Sequence, residues 1–166
     1  LHYSVSATTR APREGEEDGV NYYFLRKEQF LEMIGQGAFL EHAEYVGNYY
    51  GTPAGPVDEC LNKGMDVVLE IEVQGALIVK QKRPEAKLVF IIPPSFSDLE
   101  LRLRSRGTET EETIAKRLEK AREEYQMADQ YDYIVLNDKV EKAADELRAI
   151  ILASRCAVGR RINLLR

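Results

Sequence analysis

Three segments of the chain are almost continuously apolar: Val67-Val68-Leu69 with Asp66 before it and Glu70-Ile71-Glu72 after, Leu88-Val89-Phe90-Ile91-Ile92 cut off by Pro93-Pro94, and Tyr133-Ile134-Val135-Leu136. Short apolar runs bounded by charge or proline are the pattern of strands buried on both faces, as in a parallel sheet. Between and after them the spacing turns helical. From Glu111, the residues Ile114, Leu118, Ala121 and Tyr125 recur on one face, and from about Val140 the residues Leu147, Ile150 and Ile151 do the same. Ser97-x-x-Glu100 has the form of a capping box opening a helix. Strands alternating with helices predict βαβ units and a sheet covered on both faces. Three such strands are few for so many helices, and a further strand upstream would fit. The chain opens at Leu1, without Met, directly in an extended pattern, so it is expected to begin inside a longer polypeptide.

The first third differs. Asp18-Gly19 and Val46-Gly47-Asn48 are turn signals, and Tyr22-Tyr23-Phe24, Phe39-Leu40-Glu41 and Asn48-Tyr49-Tyr50 are short and aromatic-rich, as in a small mixed sheet. Between them Phe30, Met33 and Ile34 predict one helical face ended by Gly35 and Gly37.

Composition narrows the function classes. With 28 acidic against 23 basic residues and a formal charge of −5, a sequence-independent grip on nucleic acid or an anionic membrane is excluded as the main activity. Any phosphate must then be held by locally clustered arginines. Cys60 and Cys156, the only two cysteines, lie outside zinc or disulfide spacing and fit a reducing cytoplasm. No apolar run approaches the ~20 residues of a bilayer span. His2 and His42 have no metal-ligand spacing.

Arg10 and Arg13, three apart on a segment stiffened by Pro12 and released by Gly15, can converge on one phosphate as bidentate donors, with Tyr22 and Tyr50 adding hydroxyls. Arginines in a turn are also commonly just solvated. Glu41 precedes the tract from Gly47 to Pro53. A carboxylate accepts from both N1–H and the 2-amino group of guanine and is left unpaired by adenine, a physical route to base selectivity. Equally, Glu41 reads as a strand glutamate facing water.

Five tracts together resemble the guanylate kinase family: Ser6-x-Thr8-Thr9-Arg10-x-Pro12-Arg13-x-Gly15-Glu16-x-x-Gly19-x-x-Tyr22, Gly47-Asn48-Tyr49-Tyr50-Gly51-Thr52-Pro53, Glu70-Ile71-Glu72-Val73-Gln74-Gly75, Pro93-Pro94-Ser95, and Arg106-Gly107-Thr108-Glu109-Thr110. They occur in that family's order across essentially the whole chain. The resemblance implies a three-layer α/β P-loop kinase core with a parallel sheet, an inserted small mixed β subdomain that binds GMP, and a helical lid. The implied division is residues 1–5, 57–97 and 127–166 for the core, 6–56 for the GMP-binding subdomain and 98–126 for the lid.

It also implies roles. Arg10, Arg13, Tyr22 and Tyr50 match positions that hold the GMP phosphate, and Glu16 would orient the arginines. Ser6, Glu41 and Thr52 match positions around the base. Glu70 and Glu72 match acidic positions at a strand end, Glu72 nearer the base and Glu70 nearer metal and phosphates. Arg102, Arg106 and Arg117 match catalytic lid-side arginines, which as bare helix residues would simply pair with neighbouring glutamates. Asn137 resembles an adenine-side ATP contact. The implied partners are GMP and ATP, with Mg2+ carried mainly on the ATP phosphates. One departure matters: residues 1–166 contain no GxxxxGK[ST] loop, which supplies the amide cradle and lysine for ATP phosphates. These residues alone are therefore expected not to transfer a phosphoryl group. The alternative is a non-catalytic guanylate-kinase-like module that binds a phosphopeptide or GMP.

Overall fold

A computed structural model describes residues 1–45, 47–105 and 110–165, and the chain divides into two compact units, Leu1–Ala86 and Lys87–Arg166. The first unit holds β1 (His2–Tyr3), β2 (Ala7–Thr8), β3 (Tyr23–Phe24), α1 (Lys27–Gly35), β4 (Phe39–Tyr45), β5 (Asn48–Pro53), α2 (Ala54–Asn62), β6 (Val67–Val68) and α3 (Val73–Lys82). The second holds β7 (Val89–Ile92), α4 (Phe96–Ser105), α5 (Glu111–Tyr125), β8 (Tyr133–Leu136), α6 (Val140–Arg155) and the short α7 (Val158–Arg161).

The aromatic-rich first third forms the expected mixed sheet, in the order β3-β2-β5-β4. β2 runs parallel to β3 and antiparallel to β5, and β4 and β5 make a hairpin closed at Tyr45 and Asn48. Gly47 takes a φ of 75° there, a left-handed conformation that glycine adopts without a Cβ clash. On one side of this sheet lies a core of Ala7, Phe30 and Phe39. The Phe30 ring is fully buried and stacks on Phe39 at 4.4 Å between centroids and on Tyr49 at 5.6 Å.

β4 carries an irregularity between Phe39 and Glu41: Phe39 pairs with Pro53 and Glu41 with Thr52, so two steps on β4 oppose one on β5. Alternation along a regular strand would send Leu40 and Glu41 to opposite faces. The bulge re-aims them. Leu40 enters a second core with Val57 of α2 and Val79 of α3, and the Glu41 carboxylate also meets α3, at Gly75. The expected solvent-facing glutamate is thus corrected: Glu41 is only 6% exposed.

Outside the small mixed sheet, parallel pairing joins β1 with β6 and β7 with β8. β6 is shorter than the sequence predicts. It covers Val67 and Val68 only, because its partner β1 offers just His2 and Tyr3, and Leu69–Glu72 continue as extended chain. In the second unit, Leu103, Ile114 and Leu118 pack α4 against α5, with Phe96 and Leu99 beside them. The helix start also differs from expectation. Ser95, not Ser97, sits before α4 and accepts a hydrogen bond from the Asp98 amide at 3.0 Å, so the helix begins two residues earlier, just past Pro93-Pro94. On α6, Leu147, Ile150 and Ile151 share a half-buried face. Both cysteines are free thiols. Among the described residues no helix is long and apolar enough to cross a membrane.

Phe30 supplies the test of the first core. Phe30→Ala removes both ring stacks and leaves a cavity, so it is expected to lower unfolding free energy by about 3–5 kcal/mol. Urea denaturation reads this directly, and a loss under 1 kcal/mol would show that the core lies elsewhere.

Candidate functional site

Arg10 leaves β2 directly. Its Nη1 donates to the Ala11 carbonyl at 2.7 Å and its Nη2 to Glu16 Oε1 at 2.9 Å. The guanidinium lies over Tyr22, 5.5 Å from the ring centroid, and 5.9 Å from that of Phe24. Glu16 Oε2 accepts from the Arg13 backbone N–H at 2.7 Å. One carboxylate therefore fastens the side chain of the first arginine and the backbone of the second. Gly15 permits the return with a φ of 81°. Arg10 and Glu16 are largely sheltered, whereas Arg13 is exposed. The hydrogen bond from Arg10, then the Arg13 amide, holds the Glu16 carboxyl below its usual value, while the Glu16 bond raises Arg10. Tyr22 meets Tyr50 edge to face at 6.2 Å, and burial pushes the Tyr22 phenol up. Arg10, Glu16, Tyr22 and Tyr50 thus form one group with Arg13 on its rim. Ser6 is half-buried at the foot of β2, its carbonyl accepting from the Tyr23 amide at 2.9 Å.

Glu41 and Thr52 form a second group on the same sheet. The Thr52 hydroxyl, fully buried, donates to Glu41 Oε1 at 2.6 Å. Burial raises the Glu41 carboxyl above its ordinary value, opposed by the Thr52 hydrogen bonds and by the nearby His42 and Lys82 charges. Lys82, in the last turn of α3, donates to the carbonyls of Leu40 at 2.7 Å and Phe39 at 3.3 Å, the two residues at the bulge. Tyr50 and Thr52 are two apart on β5 and face the same way, so the two groups are spaced by about 7 Å along one strand.

Glu70 and Glu72 follow β6. Both are exposed; Glu72 is the N-cap of α3, and Glu70 Oε2 accepts from the Tyr3 hydroxyl at 2.5 Å. That bond, burial and the Glu70 charge push the Tyr3 phenol up to about 12. Tyr3 and Lys82 are not singled out by the sequence, and Gly75 stands there only as the end of the tract from Glu70 to Gly75, without its contact to Glu41.

In the second unit Arg102 donates from Nη2 to the Asn137 carbonyl at 2.8 Å. Asn137, just past β8, is itself held by its amide on the Ile92 carbonyl at 2.7 Å. Arg117 is half-buried on α5, and Arg106 lies outside the described residues. Arg104, absent from the expected set, joins Glu100 and Glu111 and so ties α4 to α5. Among the described residues no three His, Cys, Asp or Glu side chains gather as a metal cage.

Comparison with known proteins settles the family. The guanylate kinase family model matches residues 1–154. The chain belongs to the guanylate kinase family. It is 55% identical over 163 residues to a guanylate kinase of Halalkalibacterium halodurans, covering 98% of this chain and 80% of that protein. A guanylate kinase of Streptococcus pneumoniae strain R6 is 54% identical over 163 residues, with 98% and 78% covered. The crystal structure of guanylate kinase from Anaplasma phagocytophilum superposes with a TM-score of 0.81 at 35% identity, covering 95% of this chain and 78% of that one. The resemblance carried by the five tracts is borne out, and with it the α/β kinase fold and the class of enzyme, a phosphotransferase of nucleotide metabolism.

Within this guanylate kinase fold the buried Glu41 gives a pH prediction. Its folded-state value is raised, so the native state binds the proton more tightly than the unfolded state, and stability falls as pH rises through that value. Below the ordinary glutamate range both states are protonated and the penalty is absent. Glu41→Gln keeps an acceptor for Thr52 and removes the buried charge. Its melting temperature is expected to exceed the parent's at pH 8 and to converge with it near pH 4. Equal melting at pH 8 would sink the assignment.

Proposed function

We propose that the complete polypeptide transfers the γ-phosphoryl group of ATP to GMP, giving ADP and GDP, with dGMP a slower acceptor, in the cytoplasm. The observation that carries the reading is the buried Glu41 carboxylate held by Thr52, a few residues along β5 from the Arg10–Glu16–Tyr22–Tyr50 group. A buried carboxylate and a cationic cluster beside one sheet suit the two ends of a purine monophosphate. Glu41 accepts from guanine N1–H and the 2-amino group, Ser6 and Thr52 line the base, and Arg10, Arg13, Tyr22 and Tyr50 hold the phosphate. Residues 6–56 are the GMP-binding subdomain and 98–126 the lid, on a core of 1–5, 57–97 and 127–166.

In the reaction a GMP phosphate oxygen attacks the γ-phosphorus in line, and the bond from that phosphorus to the bridging β-oxygen breaks as ADP leaves. No covalent nucleophile on the protein is required. Catalysis of this kind rests on positioning and on stabilising charge at the migrating group, the role assigned to Arg102, Arg106 and Arg117, with Asn137 on the adenine side. Glu70 and Glu72 are hard oxygen donors, which suit Mg2+ carried mainly by phosphates. When bound, Mg2+ neutralises phosphate charge. Glu70 would face it, kept in place by the Tyr3 hydroxyl, and Glu72 would lie nearer the base.

Because residues 1–166 include no Gly-Lys phosphate loop, we assign the amide cradle and lysine for the ATP phosphates to none of them and propose that on their own they bind GMP without turning it over. A phosphopeptide-binding module is the second reading, since Arg10 and Arg13 would grip any phosphomonoester. It leaves the buried Glu41 without a use.

An ADP-release assay with the complete polypeptide tests the reaction, and turnover of AMP in preference to GMP would overturn it. Arg13→Ala is expected to weaken GMP binding roughly ten- to a hundred-fold, the worth of a charge-assisted hydrogen bond; unchanged calorimetric affinity would remove Arg13 from the site. Glu41→Gln is expected to narrow the GMP-over-AMP preference. A phosphoserine peptide binding more tightly than GMP would favour the module.

A further inference from the structure

Gly75 sits in the first turns of α3, buried, in a helix whose other core-facing residues are Val73, Ala76 and Val79. Its φ is not among the positive values, so the backbone does not demand glycine there, and glycine is a poor helix former. Space demands it. A Cβ built at Gly75 would stand 2.7 Å from Glu41 Oε2, 3.1 Å from its Cδ and 3.3 Å from its Cγ. The carboxylate is packed into the notch left by the missing side chain.

The surroundings fix what would yield to a methyl group. At the far end of the same helix Lys82 holds the carbonyls of Phe39 and Leu40, so β4 cannot swing away from α3 just before Glu41. The Leu40, Val57 and Val79 core joins strand to helix at the same level. The movable part is the Glu41 side-chain end, tied only by Thr52 at 2.6 Å. Restoring ordinary contact would push Oε2 from 2.7 to 3.4 Å, a retreat of about 0.7 Å. Displacements of that size are costly for a two-point hydrogen-bonding group.

We infer that Gly75 is a specificity-determining position that acts through Glu41, its absent side chain setting where the base-reading carboxylate stands. Gly75 touches no substrate in this account; it is a positioning residue. The inference rests on Glu41 reading guanine. It extends that reading to the opposite wall of the pocket, where residues larger than glycine would retune base preference without altering the phosphate-holding arginines.

The test is a binding cycle on the complete polypeptide, with GMP and IMP as probes. IMP keeps N1–H and lacks the 2-amino group, so the GMP-to-IMP affinity ratio reports carboxylate placement, which a general loss of structure would not move selectively. Gly75→Ala is expected to weaken GMP about ten- to a hundred-fold and to shrink the GMP-to-IMP ratio. Glu41→Asp shortens the side chain by one methylene and clears the notch. The double variant Gly75→Ala/Glu41→Asp should therefore bind GMP no more weakly than Glu41→Asp alone, a non-additive outcome. Additive losses, or a Gly75→Ala protein with the parent's ratio, would overturn the inference. If Glu41→Gln leaves GMP affinity and selectivity intact, the guanine-reading role itself fails, a result separable from the Gly75 outcome. Should Gly75→Ala not fold, recovery of folding in the double variant supports a clash at this carboxylate, and failure of both places the cost elsewhere and rejects it.

Discussion

A single carboxylate, buried where charge is unfavourable, constrains much of the first unit. Glu41 is 6% exposed and its carboxyl is pushed toward the neutral form by burial. Keeping it there takes a bulge in β4, a threonine hydroxyl from the partner strand, a lysine on the bulge carbonyls and a glycine on the facing helix. Two of these, the glycine and the bulge, depart from what stability alone would select. A helix-interior glycine is unfavourable by about 1 kcal/mol relative to alanine, and a bulge interrupts a ladder. Departures from local rules gather at functional sites, in keeping with the guanine-reading role proposed for Glu41.

The cationic group on the same sheet is organised differently. The acidic background of the chain, at −5, gives no general attraction for phosphate, so the field must be made locally. In the proposed reading Arg10 and Arg13 supply it, and Glu16 positions them with both its oxygens, one on the Arg10 side chain and one on the Arg13 backbone. The Tyr22 ring lies beneath the Arg10 guanidinium. Arg10 is thereby fixed before any ligand arrives, while Arg13 remains exposed and adjustable. A preorganised donor lowers the ordering cost of binding, which suits the phosphate-holding role proposed for Arg10.

In the second unit the helical arginines divide between two jobs. Arg104 bridges Glu100 and Glu111 and joins α4 to α5, a structural pairing between exposed helices. Arg102, two residues earlier, reaches instead to the Asn137 carbonyl at the end of β8. Neighbouring positions of one residue type thus differ because successive helix positions point about 100° apart, which sends Arg102 and Arg104 to different sides of α4.

Much of this protein was legible in its residues alone. Apolar runs bounded by charge or proline located β7 and β8, helical periodicity located α5 and α6, and aromatic clusters with glycine turns located the small mixed sheet, because these signals are local and burial follows period. The tracts from Ser6 to Tyr22 and from Gly47 to Pro53 carried the family for the same reason: contiguous chemistry can be read without coordinates. Tertiary structure alone decided that Leu40 and Glu41 share a face, that β6 stops at Val68, that Ser95 rather than Ser97 precedes α4, and that Gly75, Lys82 and Tyr3 attend the carboxylates. The contacts around the carboxylates depend on partners 34 or more residues away, and the end of β6 on where its neighbour stops. Sequence spacing encodes what a residue's own segment does; it does not encode which other segment will arrive beside it.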